Sequence, residues 1–236
     1  MVRIDTVYQK VLALANKEQR GYITPQEFNL MANKAQMDIF ESYFHDMKTA
    51  YHKPKNNINF ADEMEIIEEK LQPFYTFSPV LVEGPSLSIE LPGGIYRLKS
   101  VLGPGSVPVT QVTEKEYFYI INNPLTKPTA DRPIYWRWKL GGINSLYINP
   151  GVDDGEVAGY SLGYWRKPID PKWAYVVVQE KALYNANLTT NFELHPSEEE
   201  ALVTRILQLS GITIKKPELV EIAMTDNAQT KQQQND

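Results

Sequence analysis

At residue 73 the pattern of this chain changes, and at residue 168 it changes back. Up to Pro73, and again beyond Pro168 and Pro171, apolar residues recur at helical spacing. From Phe74 to Lys167, Gly and Pro recur every few residues, with short β-rich runs between them. The switch points to an α+β fold in which terminal helices pack as a helical bundle around a β-rich antiparallel insert. Each terminal helix carries an apolar stripe, and the other terminal helices are the partners available to bury it. The chain accordingly divides into an N-terminal helical part (1–73), the insert (74–168), C-terminal helices completing the bundle (169–211) and a docking segment with a tail (212–236).

Three helices open the chain. Asp5 or Thr6 caps the first, with Val7, Val11 and Leu14 on one face. The second runs from Pro25 to about Tyr51, with a stripe through Phe28, Met31, Ala35 and Ile39. Thr24 and Glu27 form a capping box at its start, Pro25 takes the first helical position, and Ile23 with Phe28 can close a hydrophobic staple. The third covers residues 61–71, with Met64, Ile67 and Leu71 inward and Glu63, Glu65, Glu68 and Glu69 on a solvated face. Late in the chain, residues 173–188 are apolar enough for a buried helix or part strand and read as helix. Ser197 with Glu200 forms a second capping box, and Gly211 closes the last helix as a left-handed residue, with Ile212 packing back on Leu207.

Within the insert, strands are expected at 80–82, 87–91, 96–102, 107–112, 134–140, 145–148 and 157–165, joined as hairpins. Gly141-Gly142 and Asp153-Asp154-Gly155 mark turns, and 113–121 reads as a short helix. Two stretches interleave aromatics and cations: Trp136-Arg137-Trp138-Lys139 and Tyr164-Trp165-Arg166-Lys167. Strand alternation puts Trp136 and Trp138 on one face and Arg137 and Lys139 on the other. Such a face is either an aromatic core or a stacking platform. Aromatics also favour interface cores, so Trp136, Trp138, Tyr164 and Trp165 are the expected subunit contacts.

Little in the chain points to catalysis. Residues 16–27 have the outline of a calcium loop, with Gly21 at the sixth position and Glu27 at the twelfth. However, Arg20 stands at the fifth, where a cation would oppose the metal. His45, His52 and His195 have no carboxylates at a repeating ligand offset; His195, before Pro196, reads as a helix-entry hydrogen bonder. Asp153, Asp154 and Glu156 could hold a divalent ion, but Asp153-Asp154-Gly155 between two expected strands reads first as a hairpin turn. There is no nucleophile elbow, glycine-rich phosphate loop or zinc-protease motif, and no cysteine. No catalytic residue, metal site or cofactor is therefore expected, and the chain does not read as an enzyme. Its net charge of −5 weighs against tight general binding of nucleic acid. No apolar run is long enough to span a membrane, and the N-terminus lacks the apolar core of a signal peptide.

Three blocks carry a resemblance: DTVYQKVLALANKEQRGYITPQEFNLMANKAQMDIFESYF, VTEKEYFYIINNPLTKPTADRPIYWR and ELHPSEEEALVTRILQLSGITIKKPELVEIA. In this order they cover well over half the chain, and they resemble virion structural proteins of short-tailed bacteriophages, especially crAss-like and related phages. The resemblance implies a head-to-tail connector: an adaptor below the portal protein that assembles as a closed ring of roughly twelve copies around the DNA channel. It implies the portal, further ring or tail proteins and passing double-stranded DNA as partners, with the virion neck as the location and the host cytoplasm as the place of assembly. It also implies portal docking through the C-terminal segment, where Leu219, Val220, Ile222 and Met224 are the apolar residues of one more short helix. The alternative is a single-stranded nucleic-acid- or polysaccharide-binding module that uses the aromatic insert.

Overall fold

A computed structural model describes residues 1–17, 23–52, 58–80, 88–140, 143–149, 159–179 and 181–213. The fold is mixed α+β with mainly antiparallel sheets. The chain separates into two compact units, one of residues 1–73 with 168–236 and one of residues 74–167. Arg20 and Gly21, the turns at 141–142 and 153–156, and Leu219, Val220, Ile222 and Met224 lie outside the described residues.

In the first unit, α1 (Ile4–Lys17), α2 (Pro25–His52) and α3 (Ile58–Leu71) come from the N-terminal part, and α5 (Glu199–Thr213) from the C-terminal part. α5 packs on α1 and α2, and α3 packs on α2. Val7, Val11, Phe28, Ala32, Ala35, Phe40, Leu202 and Ile206 are buried from these helices. At the start of α2, the Glu27 carboxylate accepts from the Thr24 amide at 3.0 Å, while the Thr24 hydroxyl accepts from the Glu27 amide at 3.3 Å. Ile23 and Phe28 on either side are both buried.

The chain returning from the second unit is tied to α2 by side-chain amides. Gln36 is buried; its Nε2 donates to the Ile169 carbonyl at 2.8 Å, and its Oε1 accepts from the Glu193 amide at 3.1 Å. The Glu193 carboxylate accepts from the Ile169 amide at 2.9 Å, closing the set. Two turns earlier, Asn29 holds Trp173 by both backbone groups, accepting from its amide at 2.8 Å and donating to its carbonyl at 3.1 Å. Ion pairs then fix the last helix: Arg205 to Asp38 at 2.6 Å, Glu199 to Lys10 at 2.6 Å and Glu198 to Lys70 at 2.8 Å.

Several expected helix ends differ. α1 begins at Ile4, so neither Asp5 nor Thr6 caps it, and the Asp5 carboxylate instead accepts from the Trp173 indole. Ser197 and Glu200 do not form the capping box. Residues Pro196–Glu198 make one 3₁₀ turn, whose Ser197 amide donates to the His195 ring Nδ1, and α5 begins at Glu199. This later start leaves Glu198 to meet Lys70 and Glu199 to meet Lys10. Gly211 is not a left-handed cap: α5 continues through it to Thr213, and the described glycines with positive φ are Gly94, Gly105 and Gly159.

In the second unit, β1 (Tyr75–Val80), β3 (Ile95–Leu102) and β7 (Tyr160–Arg166) form a sheet in the order β1-β7-β3. The other sheet, β2-β6-β5-β4, is built from β2 (Ser88–Glu90), β4 (Thr110–Gln111), β5 (Ile134–Leu140) and β6 (Ile143–Asn149). Both sheets contribute to one core through Ile89, Val101, Leu146, Ile148, Tyr160 and Leu162. Neighbour-to-neighbour hairpins were the expectation, but in these two sheets only β5 and β6 pair that way. β1, β2 and β3 find partners distant in sequence, and β4 runs parallel to β5. On the other side of β5 and β6 lies α4 (Glu114–Asn122), started by a second reciprocal box between Thr113 and Glu116. Gly163 sits mid-strand in β7 because a Cβ there would meet the Tyr75 hydroxyl at 2.5 Å and the Ser100 hydroxyl at 2.6 Å.

The α2 cap makes a testable statement. The hydrogen bond from the Thr24 amide, followed by that from its hydroxyl, holds the Glu27 carboxyl below its ordinary range. A lowered folded value contributes stability above the unfolded value, and that stability is lost as pH falls through the folded one. Thr24→Ala should lower stability by about 1 kcal/mol, seen as an earlier urea midpoint at unchanged slope. Glu27→Gln should lose less stability than wild type between about pH 6 and about pH 3, because the charged acceptor is gone.

Candidate functional site

Trp173 is the root of an exposed apolar feature in the helical unit. Its backbone is held by Asn29, and its indole Nε1 donates to Asp5 on α1 at 3.0 Å. The ring centroid lies 4.4 Å from that of Tyr8, which in turn packs 4.6 Å from Phe28. Trp173 also stacks on Tyr175 at 5.8 Å and Tyr184 at 5.7 Å, with interplanar angles of 26° and 29°. Beyond this root the chain forms a hairpin of β8 (Tyr175–Val178) and β9 (Lys181–Tyr184), a sheet of two strands.

The hairpin replaces the helix expected over 173–188. Val176, Val177 and Val178 are β-branched, which costs rotamer freedom in a helix and favours a pleated strand. Gln179 takes a φ of 49° at the turn, which breaks any continuous helix. At the base, the Asn185 amide donates to the Ala174 carbonyl at 2.9 Å, and Lys172 bridges to Thr190.

Cross-strand pairing places Val176, Val178, Lys181 and Leu183 on one face, and Tyr175, Val177, Ala182 and Tyr184 on the other. The Trp173 stack covers the base of the second face. Toward the tip, Val176, Val177, Val178 and Leu183 remain between 47% and 64% exposed. A two-stranded hairpin is marginal in water by itself, and this one shows apolar side chains on both faces.

The aromatic positions singled out in the insert differ in exposure. Trp136 and Tyr164, at 8% and 9% exposure, are buried within their own unit. The reason is packing on both faces of the sheet. α4 lays Tyr117, with Ile120 and Ile121, over Trp136 and half-buried Trp138. Tyr164 points into the core shared by the two sheets. The alternation read from Trp136 to Lys139 holds, with Arg137 and Lys139 exposed. Half-buried Trp165 belongs to a different surface. It shares the outer side of β1-β7-β3 with Tyr75, and Lys99 Nζ lies 5.3 Å from the Tyr75 ring and 5.4 Å from the Trp165 ring. Phe77, two residues from Tyr75 along β1, is exposed.

Burial, then the nearby Glu198 carboxylate, pushes the Tyr43 phenol above its ordinary value. Among the described residues, no group of three or more His, Asp or Glu side chains could hold a metal ion.

The arm's anchors went unseen in the sequence. Trp173 falls in the stretch that reads as helix, and Asn29 and Gln36 fall outside the stripe of α2. Their signal was position: two amides seven apart, each beside a stripe residue, Phe28 or Ala35. No family model matches the chain, and comparison with curated proteins found no match.

Asn29→Ala leaves two part-buried backbone groups without their partner, at about 1–3 kcal/mol for each. The variant should melt earlier, and limited proteolysis should cut within 174–184 well before the helices. A variant cut at the wild-type rate would show that the arm is held by something other than this clamp.

Proposed function

We propose that the chain is a structural subunit of a bacteriophage virion, a connector that assembles as a ring below the portal and forms part of the DNA channel. The observation that carries this reading is the arm: a rigidly rooted hairpin whose outer half shows apolar side chains on both faces. A monomer acting alone has no use for such a feature, whereas a subunit that repeats around an axis needs a lateral element to join its neighbours. The resemblance of the three sequence blocks supplies the specific kind of assembly. In this reading the subunit works by geometry and not by catalysis, without a cofactor. Its partners are further copies, the portal, the next ring or tail protein and double-stranded DNA passing without sequence recognition. The negative balance of the chain is compatible with DNA that must slide and not stick.

A second reading draws on the outer side of β1-β7-β3. A lysine over two aromatic rings beside an exposed Phe77 is the composition of a stacking surface for single-stranded nucleic acid or sugar. It moves the module alternative from Trp136 and Trp138 to Tyr75, Phe77, Lys99 and Trp165.

Negative-stain microscopy with mass photometry of the purified protein separates the two. The connector reading expects closed rings of uniform copy number, which seat on portal particles when these are added. A monodisperse monomer that binds oligothymidine or a glycan, and loses that binding in Trp165→Ala, would overturn the connector and favour the module.

A further inference from the structure

The arm has a complement on the helices of its own unit. Among the described residues, the helices of this unit expose four large apolar side chains: Leu14, Leu30, Tyr51 and Ile66. Leu14 follows Lys10 by one turn, Leu30 precedes Lys34 by one turn, and Tyr51 follows Lys48. Ile66 alone of the four has carboxylates on both sides, exposed Glu65 beside it and exposed Glu69 nearly one turn on, ahead of Lys70, which is paired with Glu198. Among its described residues the arm carries the opposite sign. Exposed Lys172 stands at its base, and exposed Lys181 shares the face of Val176, Val178 and Leu183. An apolar face ending in a cation matches an apolar residue set between carboxylates.

The two surfaces sit at different levels of one helix. The arm's root is clamped at Asn29, near the start of α2. The far end of α3 meets α2 at Tyr43, where Lys70 Nζ lies 5.8 Å from the ring. Fourteen positions separate Asn29 from Tyr43, about 21 Å of rise along the helix at 1.5 Å per residue. α3 enters from the end of α2, so Ile66, one turn before Lys70, lies farther still from Asn29. Within one copy they leave each other uncovered, since Ile66 is 52% exposed and the arm's valines are similarly open.

We infer that the arm of one copy docks on the Ile66 face of the next, with Val178 against Ile66 and Lys181 between Glu65 and Glu69. The occupant of each surface is thus a second copy of this chain. The inference rests on the ring reading and specifies its lateral contact. A donor and an acceptor on separate parts of one unit join copies head to tail, and such a heterologous contact closes into a ring when its rotation divides a full turn.

The chain has no cysteine, so introduced thiols report without background. Full-length Val178→Cys and Ile66→Cys variants are assembled separately and as an equal mixture, then oxidised mildly and run without reductant. The mixture should give dimers holding one copy of each variant, and each variant alone should give at least tenfold less. Lys181→Glu should cut the mixed cross-link at least tenfold, and Glu65→Lys with Glu69→Lys on the partner copy should restore it. Self-cross-linking of Val178→Cys alone would mean arm-to-arm pairing and overturn the inference. Rings in the microscope without the mixed cross-link would overturn it while leaving the ring reading in place. A protein that neither cross-links nor forms rings would overturn both.

Discussion

The helical unit depends on two amide side chains that stand in for backbone. The chain leaves this unit at Pro73 and re-enters it at Pro168, so the returning segment must be fixed to a helix laid down 133 to 157 residues earlier. Asn29 and Gln36, two turns apart on α2, do this by donating and accepting as a neighbouring strand would. Gln36 is buried, so its polar ends must be paired or they cost several times what the pairing gains. Their joint satisfaction selects one register for residues 169–173. That register places Trp173 against Tyr8 and Asp5 and determines where the arm begins.

The two units use aromatic residues in different ways. In the second unit, Trp136, Tyr164, Tyr160 and Tyr135 are consumed by its own cores, one between the sheets and one under α4. In the first unit, aromatics concentrate at the arm's root, where Tyr8, Phe28, Trp173, Tyr175 and Tyr184 stack in succession. The rigid root and the open tip belong together. An arm rooted loosely would lose conformational entropy on docking, whereas one already stacked at its base presents its valines with little left to order.

Much of this was legible in the sequence, and the parts that were not share a cause. The change of pattern at Pro73 and Pro168 marks the ends of the two units, and β5 starts and stops where its alternation does. The Thr24–Glu27 box could be read because both partners lie three residues apart. The hairpin at 175–184 could not, since Val176 to Val178 read as apolar in either period and the deciding contacts come from Asn29 and Asp5, more than a hundred residues away. The Ser197 cap was displaced in the same way, because Glu198 is drawn to Lys70 on α3. The aromatic stretch at 136–138 showed which residues share a face but not that α4, formed from 114–122, would lie over it. Local rules succeeded where the interaction is local and failed where a distant polar partner chose between two local options.

The central claim is that a firmly rooted arm waits for a partner, and residue-resolved hydrogen exchange at two protein concentrations tests it most directly. In dilute protein the amides of Val176 to Val178 and Lys181 to Leu183 should exchange fast, while the Trp173 amide, held by Asn29, should be protected. In concentrated, assembled protein the arm amides should slow by at least tenfold with Trp173 unchanged. Equal protection of the arm at both concentrations would mean that its own subunit already covers it, and the account would be wrong.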